Sequence, residues 1–344
     1  MVEIGSEFSL SLLLEKQGMR LPSNTVDYTY TFSGRTAIET VLENEPHIKK
    51  VMMPSYCCDS MMEPFRRKGI VICFYDVFYE DGLQVNLHID KDADAVLWCN
   101  YFGFHQEIPD MSEFISRGGI VIEDITHSFL SEKQYHPQSH YLVASVRKWE
   151  PVFCGGYCGS MKKPLKIKPE KIPPMEFLNL KKSAMTAKRD YLAGDAAIRK
   201  EDFLKDFADS NHWLGENYSG LAIDEESEKI LNSVDSQKQR QIRRNNAKTL
   251  YDGLKNCSNI KLLFEEPKMD CPLFVPVILE TEKRNRLRKK LIENQIYCPV
   301  HWPKSDMGCE SNLYSMELSL ICDQRYGEAD MNRMVNIIKN FENK

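Results

Sequence analysis

Short apolar runs recur along the first half of the chain, each the length of a β-strand and each followed by a polar or amphipathic stretch. They occupy residues 51–53, 71–75, 95–99, 120–122 and 141–144. Runs that are apolar on both sides predict strands buried on both faces, as in a parallel sheet covered by helices. Residues 60–68 and 111–116 supply candidate crossover helices between them. The expected architecture is α/β, with repeated βα units around a mostly parallel central sheet.

The character changes after about residue 162. The stretch KKPLKIKPEKIPP is charged and proline-rich and reads as a surface excursion. Residues 176–218 read as polar helix. A long connecting helix follows within 225–256, with Ile242, Leu250, Tyr251 and Leu254 on one face and Gly253 near its end. Strand candidates at 273–279 and 317–321 then alternate with helix candidates at 284–294 and 329–341. A chain of 344 residues exceeds the usual single core. The pattern predicts a large α/β domain over 16–235 and a small α+β domain over 236–344, with residues 1–15 packed beside the small one.

Composition narrows the partners. A hydrophobic content of 42% with 28% charged residues fits a soluble globular protein. No stripe of Lys and Arg interleaves with aromatics, so no nucleic-acid partner is expected. The apolar runs fall far short of the roughly 18 residues of a membrane span. The opening MVEIGSEFSLSLLLEKQG puts acids before a short apolar patch and lacks a basic leader. A cytoplasmic location is therefore expected, with the eleven cysteines reduced; their spacing is irregular and Cys57 and Cys58 are adjacent. No metal is expected either, because Cys154, Cys158, His136 and His140 do not fall into a zinc pattern.

In open α/β sheets, ligands bind outside the carboxyl ends of the strands. Those ends carry PSYCCDS at 54–60, Asn100-Tyr101-Phe102-Gly103, Glu123-Asp124-Ile125-Thr126-His127-Ser128, and Ser145, Arg147 and Lys148. Ser33 and Gly34 precede an amphipathic helix bearing Ile38, Val41 and Leu42. A glycine at a helix start leaves free N–H groups that suit a phosphate, although an ordinary serine N-cap reads the same way. Neither a GxGxxG nor a Walker A sequence occurs. A lysine, an acid and one phosphate site together point to pyridoxal 5′-phosphate (PLP), held by the lysine as an imine. A carboxylate about 4 Å from the pyridine nitrogen is worth on the order of 4 kcal/mol at an effective dielectric near 20, before desolvation. A free lysine, with a pKa of about 10.4, is a poor nucleophile at neutral pH, and a cationic neighbour such as Arg147 favours its reactive form.

The segments SGRTAI, MPSYCCDSMMEPF, NYFGF, VIEDITHS and SVRKW followed by GG, in this order, resemble the DegT/StrS-type sugar aminotransferases, PLP enzymes of the aspartate aminotransferase fold. The likeness covers residues 30–160 and fades over 225–326, where RRNNAKTLYDGL, VHWP and LICDQRY echo the second half. The resemblance implies that Lys148 binds the coenzyme covalently and that Asp124 faces its ring nitrogen. It places His127 near the phenolic oxygen or the ring and gives Gly34, Arg35 and Ser145 the phosphate, with Ser33 counted with the coenzyme site. The ring-stacking aromatic of the family falls nearest Cys58, with Tyr56 two places earlier, and Asn100 is counted with the coenzyme site. The Ser-x-x-Lys spacing is shorter than the commoner Ser-x-x-x-x-Lys. The implied function is transfer of an amino group from an amino acid such as glutamate to a keto-sugar, nucleotide-linked, or a similar ketone. The implied assembly is a homodimer with its sites at the interface. His301, Trp302 and Arg325 are the candidates for the substrate mouth. Two alternatives keep the fold: a PLP-dependent dehydratase, lyase or amino-acid-tailoring enzyme, and a regulatory protein without catalysis.

Overall fold

A computed structural model describes residues 3–10, 22, 24–132, 135–258, 260–304 and 309–342. Its strands, in chain order, are β1 (Ile4–Gly5), β2 (Asp27–Thr31), β3 (Lys50–Pro54), β4 (Val71–Tyr79), β5 (Leu83–Asn86), β6 (Ala95–Cys99), β7 (Ile120–Asp124), β8 (Tyr141–Ala144), β9 (Gly156–Ser160), β10 (Lys261–Leu262), β11 (Phe274–Ile278), β12 (Ile296–Tyr297) and β13 (Glu317–Ile321). Eight of them form one sheet in the order β2-β9-β8-β7-β6-β3-β4-β5.

The parallel centre of that sheet, β8-β7-β6-β3-β4, is the set of apolar runs seen in the sequence. Val51, Val96, Leu97, Val121 and Ile122 are almost wholly buried, as two-sided coverage requires. Burying such a side chain contributes about 1.5–3 kcal/mol. Helices Gly34–Asn44, Asp59–Arg67 and Ser112–Ser116 provide the crossovers. The rest of the sheet is antiparallel: β5 pairs with β4 at one edge, and β9 and β2 extend the other. These three strands carry no apolar run. In β9 two glycines of five residues leave no side-chain pattern to read.

The chain after 260 forms a three-stranded antiparallel sheet, β10-β11-β13. Helices Ser236–Leu254 and Thr281–Glu293 pack on it, and helix Glu328–Glu342 packs against both of them. The N-terminal β1 pairs in parallel with β12, so the first described residues join this end of the molecule. Helices Met175–Leu192 and Lys200–Glu216 pack against each other between the two sheets in sequence. Among the described residues, no helix is long and apolar enough to cross a membrane.

Candidate active site

Three parallel strands deliver their last residues side by side. Register pairs Cys99 of β6 with Asp124 of β7, and Asp124 with Val143 of β8. All three line a cavity of about 90 Å³. Strand β8 stops at Ala144, before the lysine; Ser145 and one 3₁₀ turn, Val146–Lys148, then bring Lys148 into the same cavity.

Thr126 sets the relation between acid and lysine. Its backbone N–H donates to Asp124 Oδ1 at 2.8 Å, and its Oγ1 accepts the N–H of Ser145 at 3.0 Å. Its carbonyl accepts the Trp149 indole N–H at 2.7 Å. One residue thus ties the end of β7 to both flanks of the lysine turn. The sequence carries a signal for it, a hydroxyl two places past the acid at a strand end. Asp124 is buried, which raises its carboxyl pKa; the hydrogen bonds from Thr126 and the charge of Lys148 oppose that.

His127 is buried beside them. Its Nδ1 accepts the backbone N–H of Phe102 at 3.2 Å, so the neutral ring carries its proton on Nε2. Burial, with the charges of Lys148 and His301, pushes its pKa well below the usual histidine value and keeps the ring neutral.

The helix Gly34–Asn44 starts at the opposite wall. Ser33 caps it through Thr36 N–H at 3.3 Å. Its first turn can approach the lysine turn because glycine stands at two contacts. A Cβ on Gly34 would lie 3.3 Å from Ser145 Cβ, and one on Gly156 would lie 2.2 Å from the Ser33 carbonyl oxygen. Ser33, Gly34, Arg35 and Ser145 therefore line the cavity together. Arg147 joins them with a buried Nε that has no hydrogen-bond partner. Burial lowers its pKa, Glu7 opposes this, and Arg35 adds to it. Free N–H groups at a helix start, two hydroxyls and an unpaired guanidinium are what an anion needs.

The cavity opens into a vestibule of about 530 Å³, with Arg35, Cys58, Arg147, Lys148 and Trp302 lining both. His301 and Arg325 line the vestibule. Two residues of the sequence reading, Tyr56 and Asn100, line neither the cavity nor the vestibule. Tyr56 is fully buried among Tyr101, Trp302 and Tyr314, so Cys58 and Trp302 occupy the lining where an aromatic was sought. Asn100 is committed to Glu123 at 2.8 Å, Ser128 at 3.2 Å and the Trp98 indole at 3.2 Å, on the far side of the β6 turn. Arg325 reaches the vestibule already paired. Nε and Nη2 bond the two oxygens of Asp323 at 2.9 and 2.8 Å, Nη1 donates to the Ser6 carbonyl at 3.1 Å, and Phe8 stacks 4.2 Å below.

No protein-family model and no curated protein sequence matches the chain. Solved structures do. A putative sugar aminotransferase from Streptococcus pneumoniae, Spr1654 in its PLP form, aligns over 93% of this chain and 88% of its own, with a TM-score of 0.66 at 12% identity. DesV of S. venezuelae, solved with a ketimine intermediate, aligns over 92% and 85%, with a TM-score of 0.64 at 14% identity. A DegT DnrJ EryC1 StrS aminotransferase from Brucella abortus aligns over 92% and 86%, with a TM-score of 0.62 at 15% identity. The chain has the fold of the DegT/DnrJ/EryC1/StrS aminotransferases.

Proposed function

We propose that the protein is a PLP-dependent aminotransferase that moves an amino group from an amino acid such as glutamate to a keto-sugar or similar ketone. The observation that carries this reading is the meeting of Lys148, a buried Asp124 and a glycine-opened helix start in one cavity. The residues fit the coenzyme. Asp124, buried with Thr126 and the charge of Lys148 acting on it, suits a protonated ring nitrogen, and the Nε2–H of His127 suits the phenolic oxygen. Gly34, Ser145 and the unpaired Arg147, beside Ser33 and Arg35, suit a phosphate. Trp302 takes the place of the missing aromatic, beside Cys58. Tyr56 and Asn100 support the walls.

Bound there, the coenzyme supplies an electron sink for the electrons left when an amino acid loses its Cα proton. Lys148, which lines the cavity, would be the base whose Nζ takes up this proton and gives it back. Asp124 holds the compensating positive charge, and the buried surroundings keep bulk water out. The vestibule receives the substrates, and a homodimer closes it. The experiment is borohydride reduction of the coenzyme-loaded protein followed by peptide mapping, together with a visible spectrum before and after adding glutamate. The reading expects a pyridoxyl label on Lys148 and loss of the lysine-bound absorbance with glutamate. A label on another lysine, or a spectrum indifferent to amino donors, defeats it.

A further inference from the structure

A buried carboxylate that the scheme above leaves unused stands behind the vestibule. Glu317 and Ser319 lie two residues apart on β13, so both point to the same side of the strand. They are polar positions in an otherwise apolar strand, and neither has measurable exposure. His301 comes to them from the loop after Pro299, whose carbonyl accepts the Ser319 N–H at 3.0 Å. The His301 backbone N–H donates to Glu317 Oε2 at 2.7 Å. The other carboxylate oxygen, Oε1, shares a hydrogen bond with Ser319 Oγ, and Ser319 Oγ in turn meets His301 Nδ1 at 2.7 Å. The remaining ring nitrogen, Nε2, has no hydrogen bond among the described residues, and His301 lines the vestibule together with Lys148.

We propose that Glu317, Ser319 and His301 form a proton wire ending at His301 Nε2, through which His301 exchanges a proton with substrate in the vestibule. The role at the substrate rests on the aminotransferase reading; the wire itself does not. Two arrangements of the same heavy atoms, differing by one proton, satisfy every hydrogen bond. In one, Glu317 is protonated and donates to Ser319, Ser319 donates to Nδ1, and Nε2 carries the ring proton. In the other, Glu317 is ionised and accepts from Ser319, Ser319 accepts from Nδ1–H, and Nε2 has a free lone pair. When Nε2–H gives its proton to a substrate atom, Nδ1 takes one from Ser319 and Ser319 takes one from Glu317. The reverse sequence accepts a proton. The imidazole is neutral before and after, and the charge change falls on Glu317.

The surroundings explain why a wire is needed. His301 is packed by Phe102, Phe274, Trp302 and His127, with Lys148 close enough to act on its charge. Burial, and then Lys148, hold its pKa well below the usual value, so an imidazolium is costly there. Glu317 is faced by Arg284, whose Nη1 bonds the Glu317 carbonyl at 3.2 Å, and by Tyr56. Burial pushes Glu317 up to about 8, against the bonds from His301 and Ser319 and the charge of Arg284. A carboxyl poised there takes up and releases a proton near neutrality, which the isolated ring cannot.

Ring-nitrogen NMR on the ¹⁵N-histidine-labelled full chain tests this without turnover. As pH rises through the value near 8, the His301 proton is expected to move from Nε2 to Nδ1 while the ring stays neutral. Glu317→Gln and Ser319→Ala abolish the switch, and Ser319→Thr, which keeps the hydroxyl, retains it. A tautomer that does not change with pH in the wild type, or a switch that survives in Glu317→Gln, overturns the wire. In amino transfer from glutamate, Ser319→Ala is expected to lower kcat about 10²-fold, the low end for acid–base catalysis, with Ser319→Thr recovering most of it. An unchanged kcat in Ser319→Ala overturns the substrate role. A protein that shows the switch but transfers no amino group upholds the wire and refutes the proposed function instead.

Discussion

Gly156→Ala adds one methyl group, and the structure says where it goes. The new Cβ would lie 2.2 Å from the Ser33 carbonyl oxygen and 2.4 Å from Thr31 Oγ1. Ordinary carbon contacts settle near 3.5–4.0 Å, so the two backbones must part by roughly 1 Å. Neither side yields cheaply. β9 is held by β2 on one flank and β8 on the other. Ser33 is the N-cap whose carbonyl accepts the Ala37 N–H at 3.0 Å. Overpacking of this kind costs about 1–3 kcal/mol. The displaced part is the helix start that forms the anion wall, and a shift of about 1 Å at such a site can cost on the order of 10²-fold. Two measurements check this: the thermal midpoint of the coenzyme-free protein, and a coenzyme titration followed by absorbance. The expected result is a midpoint lowered by several degrees and coenzyme affinity weakened by about 10-fold or more. Gly327→Ala is the control, because a Cβ there meets nothing within 4 Å. Wild-type affinity and midpoint in Gly156→Ala would refute the reasoning.

Further outcomes follow from other contacts. Asp124→Asn preserves packing volume but removes the charge, so coenzyme should still bind while amino transfer falls by roughly 10²-fold or more; near wild-type turnover of glutamate would reduce Asp124 to a loop cap. Arg325→Lys breaks the two-point grip on Asp323 and should cost about 1–2 kcal/mol in urea unfolding while leaving half-saturation by glutamate unchanged. A strong rise in half-saturation would make Arg325 a substrate ligand after all. Glu150 is buried, with Oε1 unpartnered, and burial pushes its pKa up to about 8. The folded state therefore holds its proton where the unfolded chain has lost it, and stability declines as pH rises from about 4.5 towards about 8. Glu150→Gln should remove that decline, seen as a melting advantage over wild type that is larger at pH ~8 than at pH ~5. Light scattering at micromolar concentration should report a dimer; a fully active monomer would remove the shared-site idea.

The parallel centre of the sheet was legible because a strand covered on both sides must be apolar throughout, and 95–99, 120–122 and 141–144 are. The antiparallel strands were not. β9 makes its contacts through backbone and absent side chains, so the glycines that place it also erase its pattern. That Asp124, His127, Ser145 and Lys148 share one cavity was legible because strand ends converge on one rim whatever the loops do. The positions of Tyr56 and Asn100 were not legible, because the loops beyond β3 and β6 turn these side chains into packing and onto Glu123. Arg325 was a candidate for the substrate mouth; its partner is two residues away, and its other neighbours, Ser6 and Phe8, come from a part of the chain that a linear reading does not bring near. Glu317 and Ser319 left a readable trace, two polar residues at strand spacing in an apolar run, but their purpose depends on His301.

The pairing of β1 with β12 has a consequence in time. Apart from Trp302, every residue lining the inner cavity lies between Ser33 and Lys148. The vestibule is different: Ser6 and Phe8 line it together with Arg325, whose Nη1 donates to the Ser6 carbonyl across a separation of 319 residues. Closing so long a span carries the largest entropic cost and comes late. A chain emerging from the ribosome holds the pieces of its anion wall and its lysine long before it can finish the doorway. The order of manufacture thus sets the inner cavity ahead of the vestibule, and a nascent chain stalled before β12 would hold most of the first without the second.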